Sequence, residues 1–168
     1  MQVVAFVDAT SGADTSAGAN NNRYYVNAFT STVSDTTGSF LTNTNRRVSR
    51  RIEDDIEYRT GGTDIAAGLD DLRANFLKLP RGAAGLAVVI TDGRSSRSSA
   101  AAAANMLRAV GVTVAAVAIG DGVDRATLEA VASTGSDDEK LVFGTDRFDD
   151  IAGLLAEVFT RIGAPRHA

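Results

Sequence analysis

Residues 85–93 read Gly-Leu-Ala-Val-Val-Ile-Thr-Asp-Gly, an apolar run that stops on Thr91-Asp92-Gly93. Leu86 to Ile90 show no alternation of apolar and polar residues, the pattern of a strand buried on both faces inside a parallel sheet. Asp92 then stands at the carboxyl end of that strand. In open α/β sheets the loops after the strands form the ligand crevice at this edge. Two readings of Asp92 follow: a ligand-binding carboxylate, or a cap for the next helix.

Working outward, Val3-Val4-Ala5-Phe6-Val7 is a second apolar run, ended by Asp8-Ala9-Thr10-Ser11-Gly12, and reads as the first central strand. Residues 11–22, SGADTSAGANNN, are small and polar and have the character of a loop. A strand is expected over Tyr24–Phe29, with its hairpin partner at Gly38–Leu41 across Ser34–Thr37. Val48, Ile52 and Ile56 recur at helical spacing, which predicts a short amphipathic helix over 46–57, broken at Thr60-Gly61-Gly62-Thr63. Asp64–Leu77 follows as a helix with Ile65, Leu69, Leu72 and Phe76 on one face.

After the Asp92 strand, Ser98–Val110 is a strong helix former stopped by Gly111, and Val112–Ile119 is another buried strand. Asp124 caps a helix carrying Leu128 and Val131, Leu141–Phe143 is a short strand, and Ile151, Leu154, Leu155, Val158, Phe159 and Ile162 stripe a last helix. Strands alternating with helices build βαβ units with right-handed crossovers. The expected fold class is α/β: a doubly wound, mostly parallel central sheet with one antiparallel edge strand from the hairpin. A single domain spans residues 1–168, with 1–22 an atypical first strand and loop and 164–168 a tail.

Bulk chemistry narrows the function. The chain carries 17 basic against 21 acidic residues, a net charge of −4 that disfavours nucleic acid or an anionic membrane as the main partner. Arg46, Arg47, Arg50 and Arg51 are followed by Glu53-Asp54-Asp55, a self-compensating solvated face. There is no cysteine, and His167 in the tail is the only histidine, which removes Ser-His-Asp and Cys-His catalysis and any thiolate or histidine-rich metal site. No apolar run approaches the roughly 18 residues of a membrane span, and the stretch from Met1-Gln2-Val3 lacks the basic and apolar regions expected of a signal peptide, a pattern that a mature chain would share. Gly120-x-Gly122 lacks the third glycine of a dinucleotide fingerprint, and Arg94–Ser99 reads as a helix-capping region. A metal-dependent enzyme would need a second acidic cluster or a lysine at the same sheet edge, and none is visible, so the expectation is a non-enzymatic protein.

Three strand-end or loop positions do carry hard oxygen donors: Asp8 with Thr10 and Ser11, Thr63 after a glycine pair, and Asp92. Carboxylates and hydroxyls without nitrogen or sulfur suit Mg²⁺, Mn²⁺ or Ca²⁺. Phe29-Thr30-Ser31-Thr32-Val33, Thr60-Gly61-Gly62-Thr63-Asp64-Ile65, Val89-Ile90-Thr91-Asp92-Gly93, Gly111-Val112-Thr113-Val114 and Ala118-Ile119-Gly120 stand in the order and spacing of a von Willebrand factor type A domain, which the chain resembles over about residues 23–163. The resemblance implies a Rossmann-like sandwich with a metal-ion-dependent adhesion site at the strand tops. It matches Asp8 to the family's first aspartate, Thr63 to its threonine and Asp92 to its second aspartate. It further implies a partner protein that completes the metal's coordination with an Asp or Glu, and it leans toward extracellular relatives.

Two departures accompany the resemblance. Thr10 replaces the first serine of the family's Asp-x-Ser-x-Ser, and Gly12 replaces the second, leaving Ser11 as a substitute only on a rerouted loop. The family's full first helix is missing, because residues 11–22 alone separate Thr10 from Arg23. Two paths stay open for the first segment. Parallel to the Asp92 strand, it brings Asp8 to the site; antiparallel to Tyr24–Phe29 through a long loop, it turns Asp8 away from Asp92 and abolishes the three-part site. The second path favours another function, a metal-independent scaffold or homo-oligomer that uses the surface left by the missing helix.

Overall fold

The computed structural model describes residues 2–4, 23–36, 41–42, 61–78, 85–92, 94–147 and 151–162. In chain order its elements are β1 (Gln2–Val4), β2 (Arg23–Tyr24), β3 (Asn27–Phe29), β4 (Val33–Thr36), β5 (Leu41–Thr42), α1 (Ile65–Phe76), β6 (Gly85–Thr91), α2 (Arg97–Ala109), β7 (Val112–Ile119), α3 (Arg125–Val131), β8 (Val142–Thr145) and α4 (Ile151–Ile162). The helix expected over 46–57 and the loop over 11–22 lie outside the described residues.

The two longest strands, β6 and β7, pair in parallel from Gly85 with Val112 to Thr91 with Ala118. Val88, Val89, Val114, Ala115, Ala116 and Val117 are completely buried in them. Side chains on successive residues point to opposite faces, so an uninterrupted buried run needs cover on both. Strand β8 extends the parallel set from β7, and the six-stranded sheet has the order β4-β3-β1-β6-β7-β8. β3 runs with β6, because both are antiparallel to β1; β4 is the antiparallel edge strand. Four of the six strands thus share one direction, and the α/β architecture is the one expected.

One local expectation is corrected and one open alternative is decided. The hairpin turns at Thr30–Thr32 rather than Ser34–Thr37, and the partner of β3 is Val33–Thr36, with Phe29 opposite Val33. Thr30 N donates to Thr32 O at 2.8 Å and closes that turn. Leu41 does meet Tyr24, but in a separate two-stranded sheet. The first strand takes the antiparallel path: Val3 lies beside Ile90 and Ala28, and Val4 beside Val89 and Asn27. An antiparallel neighbour is reached by a simple return of the chain, whereas a parallel one needs a crossover, usually a helix, and the small polar residues 11–22 are poorly suited to supply one.

Helices α1, α2 and α3 lie side by side, with α2 in the middle and both α2 and α3 on β7. Ala100, Ala103, Ala104 and Leu107 form the buried stripe of α2, so small side chains bring it close to the sheet. Gly111 ends the turn after α2 at φ +87°, a left-handed conformation that costs glycine little. Helix α4 packs on β8, where the Arg161 guanidinium stands 5.1 Å over the Phe143 ring. Asp137 accepts from Arg161 at 2.8 Å, which ties α4 to the loop before β8.

Helix α1 is positioned by a close approach and a polar network. Its residues Ile65, Gly68, Leu69, Leu72 and Asn75 are buried, at the spacing of one helical face. Gly68 faces the ring of Phe29 so closely that an added Cβ would sit 2.8 Å from Cδ1. Asn27 Nδ2 donates to Gly68 O at 2.9 Å and to Asp71 Oδ2 at 2.7 Å. Tyr25 donates its hydroxyl to Asp71 Oδ2 at 2.7 Å and accepts from Asn75 Nδ2 at 2.9 Å. The network fixes how α1 sits on β3.

Overpacking at Gly68 should cost about 1–3 kcal/mol, more than the roughly 1 kcal/mol that alanine returns in helix propensity. Gly68→Ala is therefore expected to melt a few degrees below wild type, at roughly 2–4 °C per kcal/mol for a domain this size; an unchanged or raised melting temperature would contradict the close approach.

Burial, and then the neighbouring Asp71, push the Tyr25 phenol above its ordinary value. A raised folded value means that this contribution to stability is complete below the ordinary phenol pKa near 10 and declines as the pH rises beyond it. Denaturation midpoints of the wild type should fall more steeply than those of Tyr25→Phe above about pH 10; equal slopes would refute the assignment.

Candidate functional site

Because β3, β6 and β7 share one direction, their carboxyl ends open on one rim. Four loops meet there: the Thr30–Thr32 turn, Gly61–Asp64 before α1, Asp92–Ser96 after β6, and Gly120–Asp124 after β7. Asp64 N donates to Thr30 O at 2.6 Å. Gly61 and Gly62 lie against the Thr30 and Ser31 side chains, and a Cβ at Gly62 would come within 2.8 Å of Ser31 Oγ. On the other side, Ile65 N donates to Ser95 Oγ at 3.2 Å. Thr63, half-buried, directly precedes the two residues whose amides make these bonds.

The third and fourth loops are joined as well. Arg94 Nε donates to Gly122 O at 3.4 Å, and Arg97 pairs with Asp124 at 3.4 Å. A Cβ at Gly122 would come within 3.0 Å of the Asp92 carbonyl oxygen, so a glycine permits this approach. Asp124 is the cap expected for α3: Oδ1 accepts from Ala126 N at 3.2 Å and Oδ2 from the Thr127 hydroxyl at 2.7 Å. The Thr127 hydroxyl, and after it Arg97, hold the Asp124 carboxyl below the usual aspartate range. Ser96 occupies the cap position of α2 without a side-chain capping bond, its hydroxyl lying 3.3 Å from Ser98 and 3.2 Å from Ser99.

Of the expected metal ligands, Thr63 and Asp92 stand at this rim, Asp92 exposed to solvent. Asp8, Thr10 and Ser11 lie outside the described residues. Strand β1 runs from beside Ile90 towards Val89, so it leads away from the rim that carries Asp92. Among the described residues no group of three or more His, Cys, Asp or Glu side chains is placed to hold a metal ion. The donor chemistry of Asp92 and Thr63, one carboxylate and one hydroxyl, fits a hard divalent cation that takes its other oxygens from water or from a partner. Sequence reasoning passed over Thr30, Ser31 and Ser95 as parts of the site; their signal was their place in the motifs on either side of Thr63 and after Asp92.

A family model, von Willebrand factor type A domain, matches residues 2–157. Among solved structures, proximal thread matrix protein 1 from the mussel byssus is 27% identical with a TM-score of 0.65, over 77% of this chain and 34% of that one. A structure of the same mussel protein with a zinc-occupied MIDAS motif is 24% identical, TM-score 0.64, over 77% of this chain and 32% of that one. A von Willebrand factor type A structure from Catenulispora acidiphila is 17% identical, TM-score 0.69, over 86% of this chain and 35% of that one. This chain therefore spans about a third of the length of these structures. A search of curated proteins found no match.

Since the Asp124 carboxyl is depressed, the stability it contributes is present above the ordinary aspartate pKa near 3.9 and is lost as the pH falls through its folded value. Amide exchange at Ala126 and Thr127 should accelerate in wild type below about pH 4 and be fast already at neutral pH in Asp124→Ala; protection independent of both changes would show that the cap does not hold this loop.

Proposed function

This chain belongs to the von Willebrand factor type A domain family, and from that premise we propose that it is a non-enzymatic protein-binding module of the adhesion type, working through the carboxyl rim of its sheet. Thr63 and Asp92 hold Mg²⁺ or Mn²⁺ there, directly or through water, and Ca²⁺ satisfies the same donor chemistry. An Asp or Glu of the partner protein completes the coordination. Bound there, the cation supplies positive charge that sets the partner carboxylate's affinity and orientation. The observation that carries this reading is the pair of bonds from Asp64 N to Thr30 and from Ile65 N to Ser95, which fix the Gly-Gly-Thr loop against the segment after Asp92. The zinc-occupied motif of the mussel structure supports it from outside the chain.

Asp8, Thr10 and Ser11 belong to the ligand set that the resemblance implies, but β1 runs away from the rim, so the proposed site rests on Thr63 and Asp92. That direction also favours a second reading, in which the domain self-associates without metal. The net charge of −4 disfavours nucleic acid. Among the described residues no helix is long and apolar enough to cross a membrane. An extracellular setting is part of the proposal, since the family motifs lean that way.

Calorimetric titration with Mg²⁺ and with Mn²⁺ tests the site. Asp92→Ala should weaken binding by at least about tenfold, the loss that even an outer-shell partner typically brings, and Thr63→Ala should weaken it measurably. Because β1 runs away from the rim, Asp8→Ala should cost less than Asp92→Ala; an equal loss would contradict a site built on Thr63 and Asp92 without Asp8. Absence of heat from the wild-type chain with either cation overturns the metal reading; association that grows with concentration in light scattering, unchanged by chelator, establishes the second.

A further inference from the structure

Beside the Asp92 rim lies a cleft that the metal reading does not use. It has a volume of about 390 Å³ and is formed between β7, β8 and the start of α3, within the roughly 300–1,000 Å³ of ligand clefts. In the parallel register Ala116 lies beside Val142 and Ala118 beside Gly144, so Ala118, Val142 and Gly144 share one face of the sheet. They form a floor of small apolar groups, with Val123 and Arg125 as a wall. A Cβ built on Gly144 meets nothing within 4 Å, so the floor is open at that point.

The mouth has the opposite character. Asp121 and Asp146 both line it and are exposed. Among the described residues neither carboxylate makes a hydrogen bond or ion pair, whereas Arg125 is paired with Glu129 at 3.1 Å. The cleft is therefore acidic at its opening and apolar beneath. β8 is the last strand in the sheet order, with β7 as its neighbour; an outer strand of this kind can take an extended segment alongside it.

A side chain with an apolar stem and a cationic head meets both requirements, because lysine and arginine lay their methylenes on apolar surface and keep the charge at the mouth. We propose that this cleft is a docking slot for a lysine or arginine side chain presented by an extended segment of a partner protein. The slot requires no metal, and its occupant is chosen by charge complementarity with Asp121 and Asp146. It adjoins the Asp92 rim through Gly122, so a partner can address both with one stretch of chain. The inference goes beyond the metal reading and does not rest on it.

The test is an amide NMR titration of the isotope-labelled chain in the presence of chelator, which separates it from any failure of metal binding. The probes are N-acetyl-lysine methylamide and N-acetyl-arginine methylamide, with the norleucine and glutamate analogues as controls. The cationic probes should give saturable shifts at Gly120, Gly144 and Thr145, and the controls none. Gly144→Leu, which fills the floor, and Asp121→Asn with Asp146→Asn, which removes the charge at the mouth, should each weaken binding at least about tenfold, or 1.4 kcal/mol. Thermal melts verify that each variant folds, and the charge variant is decisive should the leucine variant fail. No saturable shift with the cationic probes, equal shifts with norleucine or glutamate, or full affinity in the folded variants would each overturn the proposal.

Discussion

The parallel pairing of β6 with β7, in unbroken register from Gly85 with Val112 to Thr91 with Ala118, is the constraint on which the remaining structure depends. Two such strands bury side chains on both faces, so cover is needed above and below the sheet. Three neighbouring helices cover it, α2 and α3 both on β7, with α2 presenting buried alanines. The same pairing makes the strands end together, and their loops then have no choice but to share a rim. The site is a consequence of sheet geometry before it is a matter of particular side chains.

How firmly the rim is organised depends on the kind of contact involved. Arg97 with Asp124 is an exposed pair at 3.4 Å, and such pairs contribute about 0–1 kcal/mol. The bonds from Asp64 N to Thr30 O and from Ile65 N to Ser95 Oγ satisfy donors in the first turn of a helix, where the chain has no partner of its own. Those bonds, and the glycine approaches at positions 61, 62 and 122, set where Thr63 and the Asp92 loop lie. The acidic and basic residues around them tune charge on a frame that backbone groups have already built.

At the other end of α1, the polar cluster of Tyr25, Asn27, Asp71 and Asn75 sits in an otherwise apolar layer. Buried polar groups are costly unless paired, so a cluster that satisfies nearly all its donors tolerates few arrangements of helix on strand. Asn27 Oδ1 is left without a hydrogen-bond partner among the described residues. The cluster orients α1, and Thr63 stands immediately before the N-cap of α1, Asp64.

The apolar runs at Leu86–Ile90 and Val112–Ile119, the glycine after α2, the Asp124 cap and the stripe of α1 were all legible in the sequence, since each rests on local periodicity or on the chemistry of one residue. The place of Asp92 at a strand end followed from the Leu86–Ile90 run, whereas Thr63 was singled out by its glycine-pair loop and by the family resemblance. Legibility failed where pairing is long-range. Ser34–Thr37 reads locally as a turn, yet Val33–Thr36 is a strand because β3 offers it a free edge. The direction of β1 is undetermined by its own residues, because an apolar strand is equally apolar both ways; only its neighbours Ala28 and Ile90 decide it. The slot beside β8 was likewise invisible, for it arises when Ala118 and Gly144, far apart in the chain, come into register and leave a space that neither residue specifies alone.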